Sequence, residues 1–246
     1  MRWSRTTFLI SAALAIAVFS RPAYAMHISE GILPANWAAL WLCVSLPFLW
    51  LGMRDIEKRS REQPYAKALV ALVGAAVFLV SCMPVPVPWL GTCSHPCGTG
   101  LAAILIGPWA TIVVTSIALL LQALFLAHGG LTTWGADVCS MGIVGAFVGY
   151  ALFHGARRCG ASFFLAAFLA GMISDWATYS MTSLELASAL SGHGSFWPMF
   201  ASIAAAFAPT QLPLGLAEGF VSGMACVFVY SRRPELFNRL SAGASA

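Results

Sequence analysis

The chain has 246 residues, of which 59% are hydrophobic and only 9% charged. That is roughly a third of the ~25% charged residues of an ordinary soluble domain, which excludes a soluble globular protein and points to an integral membrane protein. The formal charge of +4 includes Arg2, Arg5 and Arg21 at the extreme N-terminus; without them it falls to +1, so there is no basic surface for nucleic acid.

Residues 1–25 follow the secretory pattern. Arg2 and Arg5 precede an apolar run from Phe8 to Phe19, Pro22 breaks it, and Ala23-Tyr24-Ala25 offers small residues at the positions a signal peptidase reads. The run is shorter than the ~20 residues of a membrane span, so a cleavable signal is expected rather than an uncleaved first helix. Cleavage after Ala25 leaves a single membrane-embedded domain, 26–246.

Apolar stretches then cover 34–53, 66–83, 99–127, 137–154, 161–181 and 197–230. The remaining basic residues fall in three clusters: Arg54 to Lys67, Arg157 with Arg158, and Arg232, Arg233 and Arg239. The positive-inside rule makes all three cytoplasmic. With the mature N-terminus outside, 84–98 and 128–136 must be outside as well. The stretch 99–127 therefore begins and ends on one face and must turn, with Gly107-Pro108-Trp109 the obvious place. Its first piece is too short to cross lipid alone and should be buried against neighbours. The expected fold is an all-α polytopic membrane protein with about seven transmembrane segments, N-terminus outside and C-terminus cytoplasmic. Pro198, Pro209 and Pro213 suggest that the last run begins as a broken or re-entrant piece. Ala71 and Ala75, beside Gly74 and Ala76, form a small-residue face that suits close packing on another subunit or on a helix of the same chain.

By this topology His27, His95, His128 and His193 share the outer face, and His154 sits near the inner one. Cleavage after Ala25 gives Met26 a free amine. That amine, the His27 backbone amide and the His27 Nδ1 can close two adjacent chelate rings, giving three nitrogens in a plane with a fourth corner open. A planar nitrogen set suits Ni(II), Cu(II) or low-spin Co(II) better than Zn(II). The plain alternative is that His27 is an early surface residue. Cleavage one residue earlier would leave Ala25-Met26-His27, where a second amide could complete the plane and Cu(II) would be preferred.

Cys93-Ser94-His95-Pro96-Cys97 admits three readings: a soft-metal cluster, a disulfide, or inert loop cysteines. Thiolates would hold Zn(II) or Cu(I) too tightly for release, which favours His95 as the fourth nitrogen donor. In the loop His128-Gly-Gly-Leu-Thr-Thr-Trp-Gly-Ala-Asp137, His128 and Asp137 could orient a ligating imidazole, or the loop could be a plug. Asp175 and Glu218 lie within apolar runs, where acids are functional candidates. Support of the site or of a broken helix is expected of them ahead of direct ligation.

The chain resembles the CbiM/NikM family, the substrate-specific membrane components of cobalt and nickel energy-coupling-factor transporters. The resemblance is carried by Met26-His-Ile-Ser-Glu-Gly-Ile-Leu-Pro34, Ser94-His-Pro-Cys-Gly-Thr-Gly-Leu-Ala-Ala-Ile-Leu-Ile-Gly-Pro-Trp109, Gly129-Gly-Leu-Thr-Thr-Trp-Gly-Ala136, Ser140-Met-Gly-Ile-Val-Gly145 and Leu212-Pro-Leu-Gly-Leu-Ala-Glu-Gly219, and spans nearly all of the mature chain. It implies seven helices and a planar four-nitrogen site made by the Met26 amine, the His27 amide and imidazole, and His95. It implies Co(II) or Ni(II) as transported substrate, a location in the cell (inner) membrane, and no hydrolytic activity of the chain's own. The implied partners are a transmembrane scaffold (T) subunit, two cytoplasmic ATPase subunits and a small accessory membrane subunit. Three features depart from the family pattern: the preceding signal, Asp137 where relatives often carry Asn, and the cysteines flanking His95. An intramembrane hydrolase finds no support, since neither His-Glu-x-x-His nor Gly-x-Ser-x-Gly occurs.

Overall fold

The computed structural model describes residues 28–83, 85–87, 92–126, 128–192 and 194–235. The expectations that concern Ala23, Ala25, Met26, His27 and His193 lie outside them. Seven helices make up the described fold: α1 (Ala35–Glu62), α2 (Ala66–Ser81), α3 (Thr99–Ile106), α4 (Pro108–Phe125), α5 (Trp134–Arg158), α6 (Phe163–Leu190) and α7 (Phe196–Arg232).

The expected turn in 99–127 is present and has a simple cause. Gly107 adopts φ +80° and ends α3, and Pro108, which has no N–H to lose, starts α4. The eight-residue α3 is mostly buried, as its length requires. Its last carbonyl, that of Ile106, accepts a 2.7 Å bond from Arg59, which is also paired with Asp55 at 2.9 Å. These residues belong to the polar end of α1, which continues well past the apolar stretch that ended at 53.

Among the described residues four helices are long and apolar enough to cross a membrane: α1, α4, α5 and α7. Helix α2 is equally apolar in character but has 16 residues, about 24 Å of rise. Helix α6 is long, yet Ser174, Asp175, Thr178, Thr182, Ser183 and Glu185 dilute its hydropathy, and all six are buried. Its polar side faces other helices, where a membrane protein can satisfy it. Large apolar side chains such as Leu72, Leu79, Phe125, Phe220 and Phe228 are exposed on the outside. Polar groups inside and apolar ones outside are the arrangement lipid demands.

The expected all-helical architecture stands, with one short addition in the connection between α2 and α3: β1 (Val85–Val87) and β2 (Thr92–Ser94) form an antiparallel ribbon, with Val85 opposite Ser94 and Val87 opposite Thr92. Pairing satisfies the backbone of the proline-rich segment. One expectation needs correction: the last apolar run is not broken, since α7 is one continuous 37-residue helix containing Pro209 and Pro213. Prolines are tolerated in membrane helices packed on neighbours, and α6 braces this part of α7, its Trp176 indole donating to the Gln211 carbonyl at 3.2 Å. Pro198 falls in the first turn, where a missing N–H costs nothing.

Within α5, Val138–Gly145 is wound as a π-helix. Ser174 of α6 donates to the Gly145 carbonyl at 2.7 Å, and a Cβ at Gly145 would come within 2.7 Å of the Thr178 hydroxyl. The wide turn therefore depends on glycine at a close approach of α5 to α6. It starts immediately after Asp137. In α2, Gly74 packs against Val114 of α4, whereas Ala71 and Ala75 are exposed.

Candidate metal centre

His95 is 2% exposed, on the segment between β2 and α3. Four hydrogen bonds to distant helices pin its surroundings. The His95 N–H donates to the Tyr179 hydroxyl at 2.8 Å, and that hydroxyl donates to the His95 carbonyl at 3.3 Å. Glu218 takes the N–H of Cys97 at 2.6 Å on one oxygen and that of Gly98 at 2.8 Å on the other. Ser94 and Thr210 share a further bond at 2.7 Å. A carboxylate at the start of α3 also meets the positive end of that helix. Glu218, singled out as an acid in an apolar run, thus holds the backbone that carries His95.

The imidazole's tautomer follows from one contact. Its Nδ1 lies 3.1 Å from the Pro96 carbonyl. A carbonyl can only accept, so Nδ1 carries the hydrogen and Nε2 carries the lone pair. Burial, with a smaller contribution from nearby His128, pushes the His95 pKa down to about 4, against the pull of the Pro96 carbonyl. His95 is therefore a neutral, oriented nitrogen donor, which is the form a metal needs. Burial likewise lowers the His128 pKa.

The N-terminal segment docks on the start of α5 and the loop before it. Ile28 is 2% exposed, its N–H donates to Asp137 Oδ1 at 3.2 Å, and its carbonyl accepts from the Thr133 hydroxyl at 2.6 Å. Glu30 accepts from both the hydroxyl and the N–H of Thr132, and the hydroxyl holds its carboxyl below the usual range. A Cβ at Gly130 would lie 2.7 Å from a Glu30 oxygen, so the Gly-Gly pair permits this docking. Asp137, one of two residues that could orient a ligating imidazole, holds the backbone of Ile28.

Asp175 and Glu218 lie close together, and with Cys97 they bring three ligand atoms within 4.8 Å of one another. Asp175 Oδ2 accepts from Gln211 at 2.5 Å. The Cys97 thiol is free. Burial, reinforced by the two carboxyl groups, pushes its pKa well above that of an ordinary thiol. His154, near the C-terminal end of α5, contacts the Tyr150 carbonyl at 3.0 Å. A hollow of about 620 Å³ lined by Arg59, Gly107 and Trp109 sits at the end of α3 away from His95.

Sequence reasoning missed Tyr179, Thr133 and Glu185. An aromatic or a threonine in an apolar helix reads as core. Glu185 lay just beyond the apolar stretch that ended at 181.

Residues 27–236 match the family described as "CbiM: Cobalt uptake substrate-specific transmembrane region". The chain is 59% identical over 215 residues to a cobalt transport protein CbiM of Sorangium cellulosum, covering 87% of this chain and 96% of that one. A protein of the same name from Geobacter sulfurreducens is 55% identical over 230 residues, covering 94% of this chain and 66% of its own length. Among solved structures, one titled as a truncated transition metal transporter superposes with a TM-score of 0.76 at 25% identity, covering 84% of this chain and 99% of that one. The chain belongs to the CbiM family.

Proposed function

We propose that this CbiM-family chain binds Co(II) on the outer side of the membrane and carries it inward as the substrate-binding subunit of an energy-coupling-factor transporter. It is a cobalt transport component and not an enzyme. In this reading the N-terminus lies outside, the C-terminus lies in the cytoplasm, and the protein resides in the cell inner membrane. A transmembrane scaffold subunit and two cytoplasmic ATPase subunits supply energy and movement, and a small accessory membrane subunit accompanies them.

The metal is held in a plane by four nitrogens: the Met26 amine exposed by removal of residues 1–25, the His27 amide, the His27 Nδ1 and the His95 Nε2. Ni(II) accepts the same donors. Binding displaces protons from the amine, the amide and the His27 imidazole, whereas His95 arrives neutral. Asp137 and Thr133 hold the segment that follows the chelating residues, and Tyr179 and Glu218 hold the segment that carries the fourth donor.

One observation carries the reading: both backbone groups of the buried Ile28 are pinned at the wall of the bundle. Consecutive Cα atoms lie about 3.8 Å apart, so chain connectivity keeps the two proposed chelating residues within about 8 Å of the anchored Ile28. The reading is tested by the mass of the mature N-terminus together with Co(II) titration of the wild type, His95→Ala, and a variant with Ala23→Arg and Ala25→Arg that blocks cleavage. One bound Co(II) in the processed wild type and none in either variant is expected. Normal affinity in the unprocessed chain would remove the amine from the donor set.

A further inference from the structure

The hollow at the end of α3 away from His95 takes no part in holding the metal, and its walls are of two kinds. It measures about 620 Å³, the size of a site for a small organic group. Leu69, Val70, Trp109 and Phe147 give it an apolar side, and Asp55, Lys58, Arg59 and Glu62 line it from the polar end of α1.

Two of these four charges are already committed: Arg59 pairs with Asp55 at 2.9 Å and donates to the Ile106 carbonyl. The other two are not. Lys58 and Glu62 stand four residues apart on α1, as do Asp55 with Arg59 and Glu57 with Arg61, and those two pairs are closed, at 2.9 and 2.5 Å. Neither Lys58 nor Glu62 makes an ion pair or side-chain hydrogen bond among the described residues. Lysine before glutamate is the weaker order on a helix, so both side chains can turn to a ligand at little cost. A pocket with an excess of positive charge would suit an anionic lipid, whereas here the uncommitted cation is matched by an uncommitted anion.

The position of the hollow narrows the choice of ligand. Helix α1 changes from apolar to charged at Arg54, whose guanidinium lies over Trp50 at 4.3 Å. Past the ends of α5 and α7, Arg157 lies over Phe163 at 5.6 Å and Arg232 over Phe228 at 5.2 Å. Arginines laid back on rings at helix ends mark the boundary between hydrocarbon and headgroups. A ligand at this boundary needs an apolar part for one side of the hollow, and an anionic and a cationic group for the other. A peptide offering two charges would also bury backbone N–H and C=O groups against the apolar side, where they find no partners. A phospholipid has no such groups to lose.

We propose that the hollow is a phospholipid site selective for a zwitterionic headgroup, that of phosphatidylethanolamine. The phosphate lies on Lys58, the ammonium on Glu62, and the start of an acyl chain runs along Leu69, Val70 and Trp109. An occupied site braces Ile106 to Trp109, the turn between α3 and α4, and leaves the metal donors untouched.

The purified protein in detergent is titrated with phosphatidylethanolamine, with phosphatidylglycerol, which has the phosphate but no ammonium, and with soluble phosphoethanolamine. Native mass spectrometry reads occupancy, and thermal melts read stabilisation. Wild type should hold phosphatidylethanolamine about tenfold more tightly than phosphatidylglycerol and melt several degrees higher with it. Soluble phosphoethanolamine at the same concentrations should leave the protein unchanged. Glu62→Gln should bind the two lipids equally, and Lys58→Gln should lose about tenfold for both. Both side chains are exposed, so each variant should melt like wild type without lipid. Equal binding of the two lipids by wild type, or a preference that survives Glu62→Gln, would overturn the headgroup assignment. Phosphoethanolamine binding as tightly as the lipid would assign the hollow to a soluble ligand. A chain that takes up no lipid, but whose Lys58 is shielded from acetylation when the scaffold subunit binds, would give the hollow to a protein partner. Either result overturns the proposal.

Discussion

The phenol of Tyr179 accepts the His95 N–H and donates to the His95 carbonyl, so one side chain of α6 closes on both backbone groups of a residue 84 positions earlier. Both groups are buried, and without the phenol they would need new partners. Tyr179→Phe removes the oxygen while leaving the ring packed against Phe207, 5.0 Å away between centroids. A buried polar group left unpaired costs about 1–3 kcal/mol, so the variant should melt several degrees lower. Co(II) affinity should fall about tenfold, because displaced donors lose affinity on the scale seen for supporting residues of metal ligands. Thermal melts and calorimetric titration of the same preparation measure both effects. Unchanged affinity would mean that His95 does not need this clamp.

Glu218 offers a sharper contrast, because each oxygen serves a different N–H. Glu218→Ala strips both Cys97 and Gly98 of their acceptor and should destabilise the fold by roughly 2–5 kcal/mol. Glu218→Gln keeps one carbonyl oxygen but turns an NH2 towards the other N–H, so an intermediate loss is expected. Denaturation of the three proteins side by side gives the order wild type, Gln, Ala. A glutamine variant as stable as wild type would show that the charge and the second bond contribute nothing.

Parts of this arrangement were readable from residue order. The turn at Gly107-Pro108 follows from two residues whose backbones permit little else. The shortness of α3 follows from parity between basic clusters. Asp175 and Glu218 stood out because acids in apolar runs are rare. Their partners were not readable: Glu218 bonds to backbone more than a hundred residues away, and nothing local announces that. The continuity of α7 through Pro209 and Pro213 was hidden for a similar reason, since neighbouring helices decide whether a proline breaks a membrane helix. Glu185 escaped because the apolar pattern of α6 fades before its last turns. Those turns are buried by protein and have no need to be apolar.

Asp137 should matter for affinity more than for stability. Asp137→Ala frees the Ile28 N–H at the wall while Thr133 still holds the Ile28 carbonyl. The segment should stay attached but lose its orientation, with Co(II) affinity falling about tenfold or more. Asp137→Asn keeps an acceptor oxygen and should bind much closer to wild type. Equal binding by the alanine variant and the wild type would separate Asp137 from the metal site.

The low pKa of His95 fixes the sign of a pH effect. In the unfolded chain the imidazole titrates near 6.5, whereas in the fold burial pushes it down to about 4. Between these values the unfolded chain takes up a proton that the folded one refuses, so acid favours unfolding. The contribution of His95 is fully present above pH 6.5 and is lost as pH falls towards 4, by roughly 3 kcal/mol. The metal-free wild type should therefore lose melting temperature between pH 7 and pH 5 more steeply than His95→Gln, which has no imidazole to protonate. Across the same range His95 is already neutral in the fold and gives up no proton to Co(II). Whatever weakening of Co(II) binding occurs there must then come from other groups, the Met26 amine and the His27 amide and imidazole in the proposed donor set. Melts of the two proteins across that range decide the first point, and parallel slopes would contradict a buried neutral His95. Proton release measured by calorimetry in buffers of different ionisation enthalpy decides the second.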